Sequence, residues 1–158
     1  MTTDVSESVL IDAPAGLLYD LVADVDRMGE WSPEATGARR AGKDLKVGDR
    51  FVGLNKRGPV RWFTVCTIRA ADRGALLEFD VDLGPLPIST WRYDFERIDD
   101  RSTRVVETWI DRRNGIRGSL IKAGGQLLIP GPRDDHNRAN IKVTLERLKA
   151  AAESIAAS

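Results

Sequence analysis

A chain of 158 residues is long enough for one domain that buries about 70% of the surface its unfolded form exposes. Its 24 basic and 24 acidic side chains cancel, which argues against the electropositive footprint of a nucleic-acid binder and the polybasic patch of a membrane-surface protein. The single cysteine, Cys66, excludes an internal disulfide and any multi-cysteine metal site, and no run of about eighteen apolar residues offers a membrane-spanning helix.

The opening "MTTDVSESVLIDAP" has neither the basic region nor the long apolar run of a secretory signal. The expectation is one domain over residues 1–158, cytoplasmic and without stable membrane insertion. From Val5, "VSESVLI" alternates weakly and reads as a strand. "DAP" then offers Asp12 as a helix N-cap, with Pro14 in the first turn. In "AGLLYDLVADV" the apolar residues Leu17, Leu18, Leu21, Val22 and Val25 recur at helical spacing, opposite Asp20 and Asp24. "DVDRMGEWSPE" is too short and broken for a second long helix. Pro33 disfavours helix at Ser32 and turns the chain, which sets the direction of Glu34.

Five strand-like segments follow: "GDRFVGLN", "VRWFTVCTIRA", "ALLEFDVDL", "ISTWRYDFERI" and "TRVVETWIDR". The links "KRGP", "ADRG", "LGPLP" and "DDRS" are too short for crossover helices, so neighbouring strands are antiparallel, as in a meander. Leu77, Phe79, Val81 and Leu83 share one face against Glu78, Asp80 and Asp82; Trp91, Tyr93 and Phe95 oppose Arg92, Asp94 and Glu96. "VRWFTVCTI" is apolar or neutral on both faces, and its orientation stays open. "GIRGSLIKAGGQLLIPGPR" reads as a short helix or a lid gated by its glycines. The last stretch is the clearest helix, with Ile141, Leu145, Leu148, Ala152 and Ile155 in one stripe that packs on the concave face of the sheet.

Several residues carry a functional reading beside a plain one. Glu107 shares a strand face with Val105 and Trp109; if Trp109 points inward Glu107 does too, and a buried carboxyl needs a partner or a raised pKa. It then serves as acid/base or ligand anchor, whereas on the outer face it is a solvated charge. Trp91, Tyr93 and Trp109 are core aromatics or the walls of a ligand slot. Asn55, in phase with Phe51 and Gly53, is an inward amide or a turn residue before "KRGP". On the last helix Asn137 and Thr144 fall within about 60° of Ile141, Asn140 about 100° away and His136 about 140° away, so His136 is expected in solvent. Lys56-Arg57 and Asp111–Arg113 are expected to be solvated, the alternative being weak contact with an anionic partner. No metal cluster, nucleophile elbow or phosphate-cradling loop is present, so neither metal nor cofactor is expected.

The element order, with "SVLIDAPAGLLYDLVADVDRMGEWSPE", the pairs "FVGLN"/"RWFTVCTI" and "TWRYDFE"/"TRVVETW", and the ending "NIKVTLERLKAAAE", resembles the START-like helix-grip superfamily. The likeness is to its polyketide cyclase/dehydrase and lipid-transport-like branch, and to small actinobacterial members. It covers nearly the whole chain and speaks for fold more than for chemistry. The resemblance implies an α+β fold, a curved antiparallel sheet wrapped around the C-terminal helix, with an elongated apolar cavity that in this superfamily holds lipids, polyketides or steroids. On that reading Trp91, Tyr93, Trp109, Ile141 and Leu145 supply apolar area, and Glu107, Asn55, Asn137 and Thr144 orient the ligand's polar ends. Trp31 plugs or rims one end of the cavity, or closes the core against the first helix. Glu34 stands at the mouth or in solvent. The expected function is binding, with transport or sequestration, of a hydrophobic small molecule by a monomer or homodimer. Two alternatives stay open: a cyclase or dehydratase with Glu107 or Glu34 as acid/base and Tyr93 or Asn55 stabilising an enolate, and a regulatory or interaction protein whose cavity has filled.

Overall fold

The computed structural model describes residues 4–40, 44–113, 120, 122–124 and 133–158. The first strand, β1 (Asp4–Ile11), leads into helix α1 (Ala15–Ala23), a 3-10 turn at Val25–Arg27 and the one-turn helix α2 (Met28–Trp31). Six strands follow, β2 (Ala35–Arg40), β3 (Arg50–Arg57), β4 (Val60–Asp72), β5 (Leu76–Leu83), β6 (Leu86–Arg97) and β7 (Thr103–Asp111), and α3 (Arg133–Ala156) closes the chain. The sheet order is β1-β7-β6-β5-β4-β3-β2, antiparallel throughout. β2 to β7 form the meander expected from short links, and β1 returns to pair with β7. Gly58 and Gly84, with φ of 56° and 60°, make the β3–β4 and β5–β6 reversals, a conformation that costs a side chain strain.

Bulges between Ala35 and Gly37, Ile68 and Ala70, and Val81 and Asp82 bend the strands, and the sheet curls into a half-barrel. The open question in β4 is answered: Thr64, Cys66 and Ile68 are buried inside, while Phe63 is 61% exposed outside. Leu83 departs from expectation. It keeps the phase of Leu77, Phe79 and Val81 but is the last residue of β5, opposite Leu86 at the turn, and is exposed there. Asp80 departs too. On the outer face it is buried by an ion network, taking bonds from Arg69 (2.6 Å) and Thr90 (2.7 Å) with Arg112 nearby (3.7 Å).

α1 buries Leu18, Tyr19, Leu21 and Val22, and Tyr19 meets Phe95 edge to face at 5.8 Å. Its N-cap is Pro14 rather than the expected Asp12, whose backbone N–H is taken by Glu153 at 3.1 Å. In α3 the buried positions are Asn137, Ile141, Thr144, Leu145, Leu148 and Ala152, and Asp134 and Asp135 in the first turn suit the helix dipole. Ile155, expected in the stripe, is exposed and borders a surface groove with Pro14 and Leu17, because the cover over the helix ends there.

α3 lies mainly along β1 and reaches β7, α1 and α2 rather than the middle of the sheet. Lys149 donates to the Leu10 carbonyl (2.9 Å) and Arg138 pairs with Glu7 (2.6 Å), holding this offset. The inner face of β3–β6 is therefore left partly uncovered beside the helix. Most of the expected lid, 115–131, lies outside the described residues.

Leu148 is fully buried at the helix–sheet contact. Leu148→Ala is expected to lower stability by about 2–5 kcal/mol in urea unfolding, and Phe63→Ser to change it by less than about 0.5 kcal/mol. Comparable losses in both variants would contradict the inside–outside assignment of the sheet.

Candidate functional site

Beside α3 the inner face of β3–β7 encloses a cavity of about 120 Å³. Period-two alternation and strand register assemble its walls: Trp91 is opposite Trp109 on β7 and opposite Phe79 on β5, and one step along Tyr93 is opposite Glu107. Trp62 on β4 and Met28 on α2 add apolar surface. Thr64, Ser89, Asn137 and Thr144 bring polar groups to the same space.

Glu107 is 2% exposed, and no cation pairs with it among the described residues. The Tyr93 hydroxyl donates to its Oε1 at 2.7 Å, whereas Oε2 has no partner. Burial pushes the Glu107 carboxyl up to about 8, against the pull of the Tyr93 bond. Burial, and the neighbouring Glu107, also raise the Tyr93 hydroxyl. At neutral pH the pair is thus an acid and a phenol, both uncharged. Glu7 faces Glu107 across the β1–β7 ladder, and its carboxylate is drawn off to Arg138.

Glu34 has the opposite environment. Burial raises it, but the charge of Arg133 and hydrogen bonds from Arg133 (2.9 Å) and His136 (2.8 Å) outweigh that and hold it below the ordinary value. Asn140 donates to the same oxygen as His136, at 3.2 Å. With Arg133, Asn140 and the His136 ring around it, Glu34 is ionised; His136 Nε2 also lies 3.0 Å from Asn140 Nδ2. One cavity thus joins a protonated and an ionised carboxyl.

Among the described residues four buried polar atoms have no partner: Glu107 Oε2, Asn137 Nδ2, Arg133 Nη1 and Trp31 Nε1. Glu107, Asn137 and Arg133 line the cavity. Cys66 also lines it, but burial pushes its thiol up to about 12, so no reactive thiolate forms.

Of the residues singled out from the sequence, Glu34, Asn55, Trp91, Tyr93, Glu107, Trp109, Asn137 and Thr144 line the cavity. Asn55 turns inward, with long bonds to the Gly53 carbonyl (3.5 Å) and Thr64 (3.4 Å). Ile141 and Leu145 sit in the core instead, because the middle of their stripe faces β1. Trp31 is buried beneath the Arg27 guanidinium, 5.1 Å from its ring, and is not among the lining residues. His136 is a correction: α2 and the turn after it cover this side of α3, so its ring is 23% exposed and bonded to Glu34 rather than in solvent. Asp111–Arg113 is another, since Asp111 and Arg113 pair at 2.9 Å with little exposure. Arg133 was missed. It opens α3 just after Pro132, where no periodicity constrains it, and its link to Glu34 spans 99 residues.

A half-barrel sheet gripping a long C-terminal helix beside an internal cavity defines the helix-grip class of proteins. The chain belongs to the polyketide cyclase/dehydrase and lipid transport family, whose model matches residues 2–153. The uncharacterized Mycobacterium tuberculosis protein Rv0088 is 30% identical over 146 residues, 91% of this chain and 62% of that protein. The chain thus spans less than two thirds of that relative. Among solved structures, the Polyketide_cyc-like protein Cgl2372 of Corynebacterium glutamicum is 25% identical with a TM-score of 0.61, over 98% of this chain and 92% of that one. The di-domain ARO/CYC StfQ from the steffimycin biosynthetic pathway has a TM-score of 0.65 at 18% identity, over 94% of this chain and 44% of that one, a likeness of fold. Among the described residues no helix is long and apolar enough to cross a membrane, and no group of three or more His, Cys, Asp or Glu could hold a metal ion.

Burial raises Glu107 from 4.5 to about 8, so in that window the folded chain holds a proton that the unfolded chain releases. Its stabilising contribution is full below the unfolded value and is lost as pH rises through the folded one. Glu34 works the other way, stabilising above its ordinary value and losing that contribution in acid. Glu107→Gln is therefore expected to flatten the fall in melting temperature between about pH 5 and pH 9 relative to the unsubstituted chain. Parallel profiles would show that Glu107 is not a buried acid.

Proposed function

We propose that this chain binds a hydrophobic small molecule, lipid- or polyketide-like in its apolar body, with its polar end turned toward Glu107 and Asn137. The observation that carries this reading is the meeting of unpartnered buried polar atoms with aromatic walls in one cavity. A binding pocket is mostly apolar with a few convergent polar groups. Trp91, Tyr93 and Trp109 supply area; Asn55 and Thr144 supply further polar contacts; Ile141 and Leu145 seat the helix, and Trp31 packs in the core as the last residue of α2. Glu34 holds the first turn of α3 at the mouth. Membership of a family described by polyketide cyclase, dehydrase and lipid transport supports the same class of ligand. Sequestration or carriage follows from a ligand shielded on several sides, and the space of about 120 Å³ speaks against a cavity filled by its own side chains.

A second reading has its own support in the opposed protonation of Glu107 and Glu34. A carboxylic acid poised near neutrality, with a phenol beside it, is suited to protonating a carbonyl oxygen or a departing hydroxyl. On this reading Glu107→Gln loses turnover by more than about a hundredfold with a much smaller loss of affinity.

Native mass spectrometry of freshly purified protein, followed by solvent extraction, is expected to find a reproducible apolar ligand. Asn137→Leu removes a buried amide with an unpartnered donor. It is expected to stabilise the chain by about 1 kcal/mol and to weaken ligand binding about tenfold, checked by thermal unfolding with and without the extracted ligand. Loss of stability with undiminished binding would argue against a ligand contact at Asn137.

A further inference from the structure

We infer that the polar end of the cavity is a receptor for a hydrogen-bond acceptor, and that the ligand is a planar, one-ring aromatic carboxylate held by Arg133, Asn137 and Glu107. This rests on the proposed binding function and narrows its ligand from a lipid- or polyketide-like body to a single aromatic ring.

Polarity is the first ground. Arg133 Nη1 can only donate, and its other terminal nitrogen is already committed to Glu34. Asn137 is 1% exposed and presents its unpartnered Nδ2. On Glu107, Oε1 accepts from Tyr93, so the proton of the neutral acid sits on the free Oε2, which also donates. Three unpartnered atoms from two elements are thus donors. The carboxylate oxygens of Glu34, acceptors on the same lining, are taken by Arg133, His136 and Asn140.

Charge and size narrow the class. Arg113, which lines the cavity, pairs with Asp111 at 2.9 Å while Lys122, outside the lining, stands 3.5 Å from the same carboxylate, so among the described residues this cluster carries one positive charge in excess, which favours an anion. A carboxylate bound to a carboxylic acid, an amide and a guanidinium makes charge-assisted bonds, stronger than those of a neutral acceptor. The volume of about 120 Å³ is of the same order as an apolar cavity of about 150 Å³ that takes benzene in another protein, and the space is partly open beside α3, so a single ring with a small polar group is the size it admits. The rings of Trp62, Phe79, Trp91 and Trp109 on its lining favour an aromatic body. An alkyl carboxylate would engage the same donors, so the small volume and the aromatic lining are what favour a ring.

Among the described residues, Tyr93 on β6 and Glu7 on β1, with its partner Arg138, stand opposite Glu107; Asn137, Glu34, Arg113 and Arg133 share the cavity, with His136 behind Glu34. Loss of the Glu107 proton removes a donor and adds a negative charge beside the ligand carboxylate.

Calorimetric titration of the full chain at pH 6.5 with benzoate, toluene, benzylammonium and dodecanol tests the inference. Benzoate is expected to bind at least tenfold more tightly than toluene, and benzylammonium not to bind. Benzoate affinity is expected to fall at least tenfold between pH 7 and pH 9. Glu107→Gln, which keeps a donor without a titrating proton, is expected to weaken benzoate severalfold at pH 6.5 and to abolish that further fall. Equal affinity for benzoate and toluene, a preference for benzylammonium, or an unchanged pH dependence in Glu107→Gln overturns the inference. Binding of dodecanol without benzoate overturns it and leaves the proposed function standing; silence of all four overturns both.

Discussion

A carboxyl group that pairs with no cation among the described residues lies at the inner face of this sheet, and the register of β6 and β7 keeps it there. Tyr93 stands opposite Glu107, and the pairs on either side, Trp91 with Trp109 and Phe95 with Val105, point the same way. Because side chains alternate with a period of two, a slip of one residue would turn all of them outward and bring Arg92 and Thr108 into the core. The aromatic pairs therefore fix the place of the acid, and the phenol gives it one bond. What remains is a buried acid that keeps its proton at neutral pH, with one oxygen directed into the cavity.

The second condition is that α3 does not lie over the middle of the sheet. Its apolar stripe runs along β1, where Arg138 and Lys149 tie it to Glu7 and the Leu10 carbonyl. Its first turn is held from the other side by Glu34, which gathers Arg133, His136 and Asn140. These two sets of bonds pull on different faces of the helix. Between them Asn137 and Thr144 are left facing the strands, close enough to line the cavity and not close enough to fill it.

The fold was legible because it rests on short-range signals: turn residues every few positions, clean alternation in β5 and β6, and one long amphipathic stripe. For Glu107 only its phase with Trp109 was legible, inward or outward together; the structure buries both. Asn137 and Thr144 followed from helical angle alone. The same angles misplaced His136, because a helical wheel shows direction from the apolar centre and not what packs beside the helix; α2 and Glu34 cover that side. Arg133 carried no local signal at all, as its role depends on Glu34 far away in the chain. Leu83 and Ile155 failed at the ends of their elements, where the period continues but the cover over it does not.

The unpartnered atoms bear on function through their distribution. A buried donor or acceptor left without a bond costs about 1–3 kcal/mol, a large share of the stability of a domain this size. Scattered through a core, such atoms would only weaken the fold. Here Glu107, Asn137 and Arg133 line one cavity, and the hydrophobic core around Leu148, Ile68 and Leu77 is fully buried. At 137 a leucine of similar size would satisfy the packing of α3 and remove the cost, and at 107 a phenylalanine or leucine would extend the apolar row. Polar groups held at that cost, on rigid strands and a braced helix and aimed into one space, are arranged for a partner that the chain does not itself supply.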